Sequence, residues 1–187
     1  MKDLENLEKE ILTISVVKAN LYGLLFMLPV AFIFGYPFYL LHGRLSISEW
    51  GTSNIIMFLT AVVVGVIVHE LLHGITWARF SSKGFESIKF GVMWKMLTPY
   101  CHCKEPLTVR SYLWGAVVPA IALGFLPALA AIIIGSTGLL YFGTFFTIAA
   151  IGDFMIIYLL RNENKDDWVQ DHPSKAGCII YRETTVD

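Results

Sequence analysis

The sequence predicts an all-α membrane protein of about four transmembrane helices, with a small β element in the loop between the second and third spans. Three observations carry that prediction. The chain is 56% hydrophobic and only 16% charged, with a mean hydropathy of +0.62. That is too apolar for a soluble domain of 187 residues. Apolar runs at Ala19–Leu41, Asn54–Trp77, Tyr112–Ile134 and Gly138–Leu160 each reach the ~20 residues that a spanning helix needs. With an even number of spans, both termini and the second connection share one side, and every one of the 14 basic residues except Arg44 falls there. The positive-inside rule makes that side cytoplasmic, so both termini are expected there.

Taken in order, the chain reads as one integral domain over residues 1–187. Leu4, Leu7, Ile11 and Ile14 recur at helical spacing among acids and lysines, so residues 1–17 read as an amphipathic helix on the membrane surface. The four-span core covers residues 19–160. Its first run follows a charged segment, is longer than a signal-peptide core and has no small-residue cleavage site, so it reads as a span. Pro29 and Pro37 in the first span, and Pro119 and Pro127 in the third, predict kinks. In the long connection Phe80–Ser111, alternation through Ile88-Lys89-Phe90, Val92–Met96 and Thr98–Cys103 predicts two or three short strands. Gly135-Ser136-Thr137-Gly138 reads as a tight turn on the outer side.

Residues 161–187 form a cytoplasmic tail, polar until Cys178-Ile179-Ile180-Tyr181, which predicts one more strand; Asp166, Asp167 and His172 read as solvated. Trp94, Tyr100, Tyr112 and Trp114 read as interfacial anchors. Cys101, Cys103 and Cys178 all fall on the cytoplasmic side, where disulfides are not expected.

Chemistry concentrates near the end of the second run, at His69-Glu70-Leu71-Leu72-His73. Histidines at i and i+4 share one helix face, one turn apart, where both can bind the same metal. Glu70 lies beside that face, placed to take a proton from a water at the metal. A catalytic zinc ion usually takes three protein ligands, and the one other ionisable residue well inside the spans is Asp153. His69 and Asp153 each lie fifteen residues inward from the outer ends of their spans, at Asn54 and Gly138. At 1.5 Å per residue both sit about 22 Å below the outer surface, so the fourth span can bring Asp153 level with the histidines. Cys101-His102-Cys103, with His172 and Cys178, offers donors for a second site, but Cys-x-Cys chelates poorly in an extended strand and the segment reads as ordinary strand.

HELLH on a membrane span, then a strand-bearing segment, another span and an Asp on the next span, resembles the site-2 protease type of intramembrane metalloprotease. Val68–Gly74, Val118-Pro119-Ala120 and Gly152-Asp153 are similar to a family of small bacterial membrane zincins. The chain departs from the site-2 group in lacking its Asn and the Gly that follows the Asp. The resemblance covers about Asn54–Leu160 and implies an intramembrane zinc-dependent endopeptidase, with His69, His73 and Asp153 on Zn²⁺ and Glu70 as the base. It also implies that an edge strand in Phe85–Cys103 holds the unwound substrate. The expected partners are the lipid bilayer and a membrane protein or peptide substrate, with no nucleic acid; no surface in the sequence specifies an oligomeric state. Two other functions could use the same ligands: a non-catalytic zinc-binding scaffold, and a metal transporter or sensor. Glu70 in the general-base position favours the enzyme.

Overall fold

The computed structural model describes residues 7–45, 50–94, 98–173 and 176–182. Strand β1 (Glu8–Thr13) precedes helices α1 (Val16–His42) and α2 (Thr52–Phe80). A hairpin follows, built of β2 (Ile88–Met93) and β3 (Thr98–Cys103); the expected strand residues 95–96 lie outside the described set. A short strand β4 (Leu107–Thr108) leads into α3 (Val109–Pro119), a π-helical segment (Ala120–Phe125) and α4 (Leu126–Ile134). Helices α5 (Thr137–Ala149) and α6 (Ile151–Leu159) and strands β5 (Trp168–Asp171) and β6 (Gly177–Arg182) complete the order.

Three helical stretches are long and apolar enough to cross a membrane: Leu21–His42, Thr52–Phe80 and Val109–Ile134. Helices α5 and α6 make a fourth if the pair, bent by 40°, counts as one span. The run expected to be one helix over Gly138–Leu160 is therefore broken. Thr147 Oγ1 donates to the carbonyl of Gly143 at 2.9 Å, a back-bond that bends helices, and Ala150 leaves helical geometry at ψ 10°. Outward-facing side chains such as Leu28 (77% exposed) and Ile133 (79% exposed) are apolar, as a bilayer requires and water does not tolerate in bulk. The tight turn is as expected. Gly135 caps α4 in the left-handed conformation at φ 74°, and the Ser136 side chain accepts from Leu139 N–H to start α5.

Pro29 and Pro37 are both accommodated within one continuous α1. Pro119 has a larger effect: α3 ends there and the π-helical segment begins, the usual way a span absorbs a missing N–H. Gly115 lets α3 approach α2 closely. A Cβ at Gly115 would lie 1.8 Å from Trp77 Nε1, so only glycine fits at this crossing.

Four strands form one antiparallel sheet in the order β1-β6-β5-β4, and β2 pairs with β3 as a separate hairpin. Residues 8–13 are thus strand, where the sequence pattern predicted helix. An isolated helix of so few residues is marginal in water, whereas β6 offers a row of backbone groups that need partners. Glu8 to Thr13 take that edge in register with Arg182 to Gly177, and Arg182 joins Glu10 to Glu163 across the strands. The tail folds too: the strand expected at Cys178–Tyr181 lies within β6, and Val169, Cys178 and Ile180 are fully buried, in a core shared with Trp77, Cys103 and Tyr112. A second core, around Phe34, Phe38, Ala128 and Leu140, lies elsewhere in the bundle.

The sheet fixes the parity of the chain. Strands from before α1, from between α2 and α3 and from after α6 all meet in it. The chain must therefore leave that end on α1, return on α2, leave on α3–α4 and return on α5–α6. Epitope tags placed before β1 and after β6 should consequently be digested together or protected together by protease added to intact cells. Digestion of one alone would break either the β1–β6 pairing or the pass count.

Candidate metal centre

His69 and His73 sit one turn apart on the buried face of α2, and Asp153 lies in the first turn of α6, three residues past the bend. The three side chains converge. His69 Nε2 is 3.1 Å from His73 Nε2 and 3.2 Å from Asp153 Oδ2, and His73 Nε2 is 3.3 Å from Asp153 Oδ1. Four ligands placed tetrahedrally at zinc distances of about 2.0–2.1 Å would be about 3.3–3.4 Å apart. The donor set and its spacing therefore fit a zinc ion. Among the described residues this is the group of three His, Cys, Asp or Glu side chains close enough to hold a metal. Side-chain exposure rises from 6% at His73 and 11% at His69 to 22% at Asp153, so the centre opens past Asp153. A groove of about 620 Å³ between α2 and α3, lined by Ile75, Arg79 and Trp114, includes none of the three and is no part of the centre.

His73 is oriented by backbone. Its Nδ1–H donates to the carbonyl of Gly115 at 2.8 Å, since a carbonyl can only accept. When the ring is neutral, that bond places its proton on Nδ1 and leaves Nε2 bare, the form a metal needs. In an α-helix the Gly115 carbonyl would bond the N–H of residue 119, but that residue is proline and has none. Pro119 thus frees the acceptor that His73 uses. The His73 ring also stacks on Trp77 (5.1 Å, 18°), which stacks on Tyr112 (5.1 Å, 19°) and donates from Nε1 to the Tyr112 carbonyl at 3.1 Å. His69 is held differently, by stacking on Phe146 at 6.4 Å, and its buried Nδ1 has no hydrogen-bond partner.

Glu70, the next residue along from His69, faces the backbone N–H of Cys101 in β3. Cys101-His102-Cys103 thus enters the site through its main chain, as strand, and among the described residues its thiols belong to no close group of three metal donors. Burial pushes the Cys103 thiol up to about 11, Cys178 to about 12 and Cys101 higher still, so all three remain protonated at neutral pH. All three are free thiols. Tyr112, which reads in sequence as an interfacial anchor, is instead 3% exposed within the core.

Sequence reasoning thus named the side chains that the structure brings together and missed the backbone groups that orient them. Gly115-x-x-x-Pro119 was the available signal, because a proline four residues after any helical residue orphans that residue's carbonyl. Pro119→Ala should give the Gly115 carbonyl a helical partner again. Expected together are a higher melting temperature and a metal affinity lowered about 10-fold. Unchanged affinity would mean that the carbonyl serves both donors.

No curated protein and no solved structure matches the chain. Residues 62–168 match the family described as "Putative zincin peptidase". The matched stretch is more than half of the 187 residues and contains His69, Glu70, His73, Gly115, Pro119 and Asp153. Its name implies zinc, which is the ion that the donor set and spacing fit. The chain belongs to this zincin peptidase family.

Proposed function

We propose that this protein is an intramembrane zinc-dependent endopeptidase of the site-2 protease type. Its substrates are peptide bonds of membrane-embedded or membrane-proximal proteins. The observation that carries the reading is the set of 3.1–3.3 Å separations among two imidazole nitrogens and one carboxylate, with Glu70 alongside. His69, His73 and Asp153 would hold the ion. Zinc, when bound, polarises a carbonyl and acidifies a water to near neutral pH.

The rest falls to the chain. Glu70, steadied by the Cys101 N–H, takes the proton of the attacking water and passes it to the leaving amine nitrogen. The Cys101 and Cys103 N–H groups point away from β2, toward Glu70 and Asp171, so the outer edge of β3 is already engaged. In this register the outer edge of β2 carries the backbone groups of Ile88, Phe90 and Val92, and that is the edge left for an unwound substrate segment to extend. Phe90 also meets α2 at Gly74, where an added Cβ would lie 2.4 Å from its ring. The placement of all basic residues but Arg44 supports a bacterial cell membrane orientation with both termini cytoplasmic.

Zinc content and turnover test this directly. Detergent-purified wild type should hold about one zinc per chain and lose cleavage on chelation. Asp153→Ala and His69→Ala should lose most of the zinc. Glu70→Gln should keep it while cleavage falls about 10²–10⁴-fold. Wild type without zinc, or an active Glu70→Gln, would sink the proposal.

A further inference from the structure

Asp171 closes β5, beyond the stretch that matches the family and in a tail that reads as solvated. Its side chain is only 12% exposed. Both carboxylate oxygens are occupied: Oδ2 accepts the Cys103 N–H at 2.7 Å and Oδ1 accepts the Tyr112 hydroxyl. His102 Nδ1 lies 3.6 Å from Oδ2. One acid thus joins three segments distant in sequence, namely the tail, the hairpin and the start of α3.

Tyr112 and Cys103 each connect Asp171 to the metal centre through one intervening residue. Tyr112 supports Trp77 by ring stacking and through its carbonyl, and Trp77 stacks on the ligand His73. Cys103 lies two residues along β3 from Cys101, whose N–H meets Glu70. A shift of β3 or of the first turn of α3 would therefore reach the base and a ligand together. Burial raises the pKa of the Asp171 carboxyl, while the Tyr112 hydroxyl and the Cys103 N–H oppose that rise by bonding the charged form.

We infer that Asp171 is a positioning residue of the metal centre, fixing Glu70 through β3 and His73 through Tyr112 and Trp77. The inference rests on the zinc-centre reading above. It makes the tail part of the working site, although the tail supplies no ligand.

The test uses the full-length protein in detergent, with wild type, Asp171→Ala, Asp171→Asn and Tyr112→Phe. Three quantities are read: zinc affinity by chelator competition, the visible spectrum of the Co²⁺-substituted protein, and turnover per bound zinc. Asp171→Ala should lower affinity and turnover per zinc each about 10-fold and alter the Co²⁺ spectrum. Asp171→Asn, which keeps one acceptor oxygen, should recover part of each loss. Tyr112→Phe keeps the ring stack and loses only the hydroxyl, so it should move the same quantities less far. A folded Asp171→Ala with wild-type affinity, spectrum and turnover per zinc would overturn the inference while leaving the protease reading intact. Should Asp171→Ala fail to fold, Asp171→Asn and Tyr112→Phe decide by the same three readouts, and wild-type values in both would overturn it. A wild type that binds zinc but cleaves nothing would remove the protease reading, and affinity and spectrum would still judge Asp171.

Discussion

Two imidazoles and a carboxylate held within 3.3 Å of one another, inside an apolar helix bundle, form the constraint to which the rest of the structure answers. Ionisable groups at such depth are costly unless they pair or coordinate. Bringing them together sets the geometry of two helices. The histidines require α2 to turn one face inward over a full turn. Asp153 requires the chain to break before it, which the Thr147 back-bond and Ala150 achieve. The bend that spoils a straight fourth span puts Asp153 in the first turn of a new helix, where the exposed N–H groups favour a carboxylate.

Around that triad the supporting groups are mostly main chain. A glycine carbonyl orients His73, an amide N–H steadies Glu70, and another carbonyl holds Trp77. Backbone groups suit this work because they have no rotamers to lose and are already fixed by their own helices and strands. The arrangement depends on local exceptions to regular structure: a proline that lacks an N–H, a glycine that lacks a Cβ, and a strand edge not used for pairing. Each would count as a defect in a structure judged only by its helices and sheets.

These exceptions also mark what could be read from sequence. Apolar length revealed the long apolar helices, the i, i+4 histidines revealed the face, and equal position along two apolar runs revealed that His69 and Asp153 could meet. Such features depend on the chain's own geometry and little else. Residues 8–13 read as helix because Leu4, Leu7, Ile11 and Ile14 recur at helical spacing, yet only Ile11 of these falls in the strand, and the partner that makes it a strand, β6, lies more than 160 residues away. Asp171 was missed for the same reason. Nothing near it in sequence announces burial, and both of its hydrogen-bond partners come from other segments, 68 and 59 residues distant. Tyr112 looked like an interfacial aromatic until Trp77 was seen to cover it.

The mixed sheet of early and late strands has a consequence for biosynthesis. The HELLH helix is translated long before Asp153, and Asp153 before Asp171, while β1 must wait for β6 to acquire its partner. A nascent chain that has already made α2 therefore lacks the third donor of the candidate centre, and later still lacks the carboxylate that joins the hairpin to α3. The centre is completed only as the final strands emerge and fold back. Order of synthesis thus delays a peptidase centre until the chain around it is nearly whole.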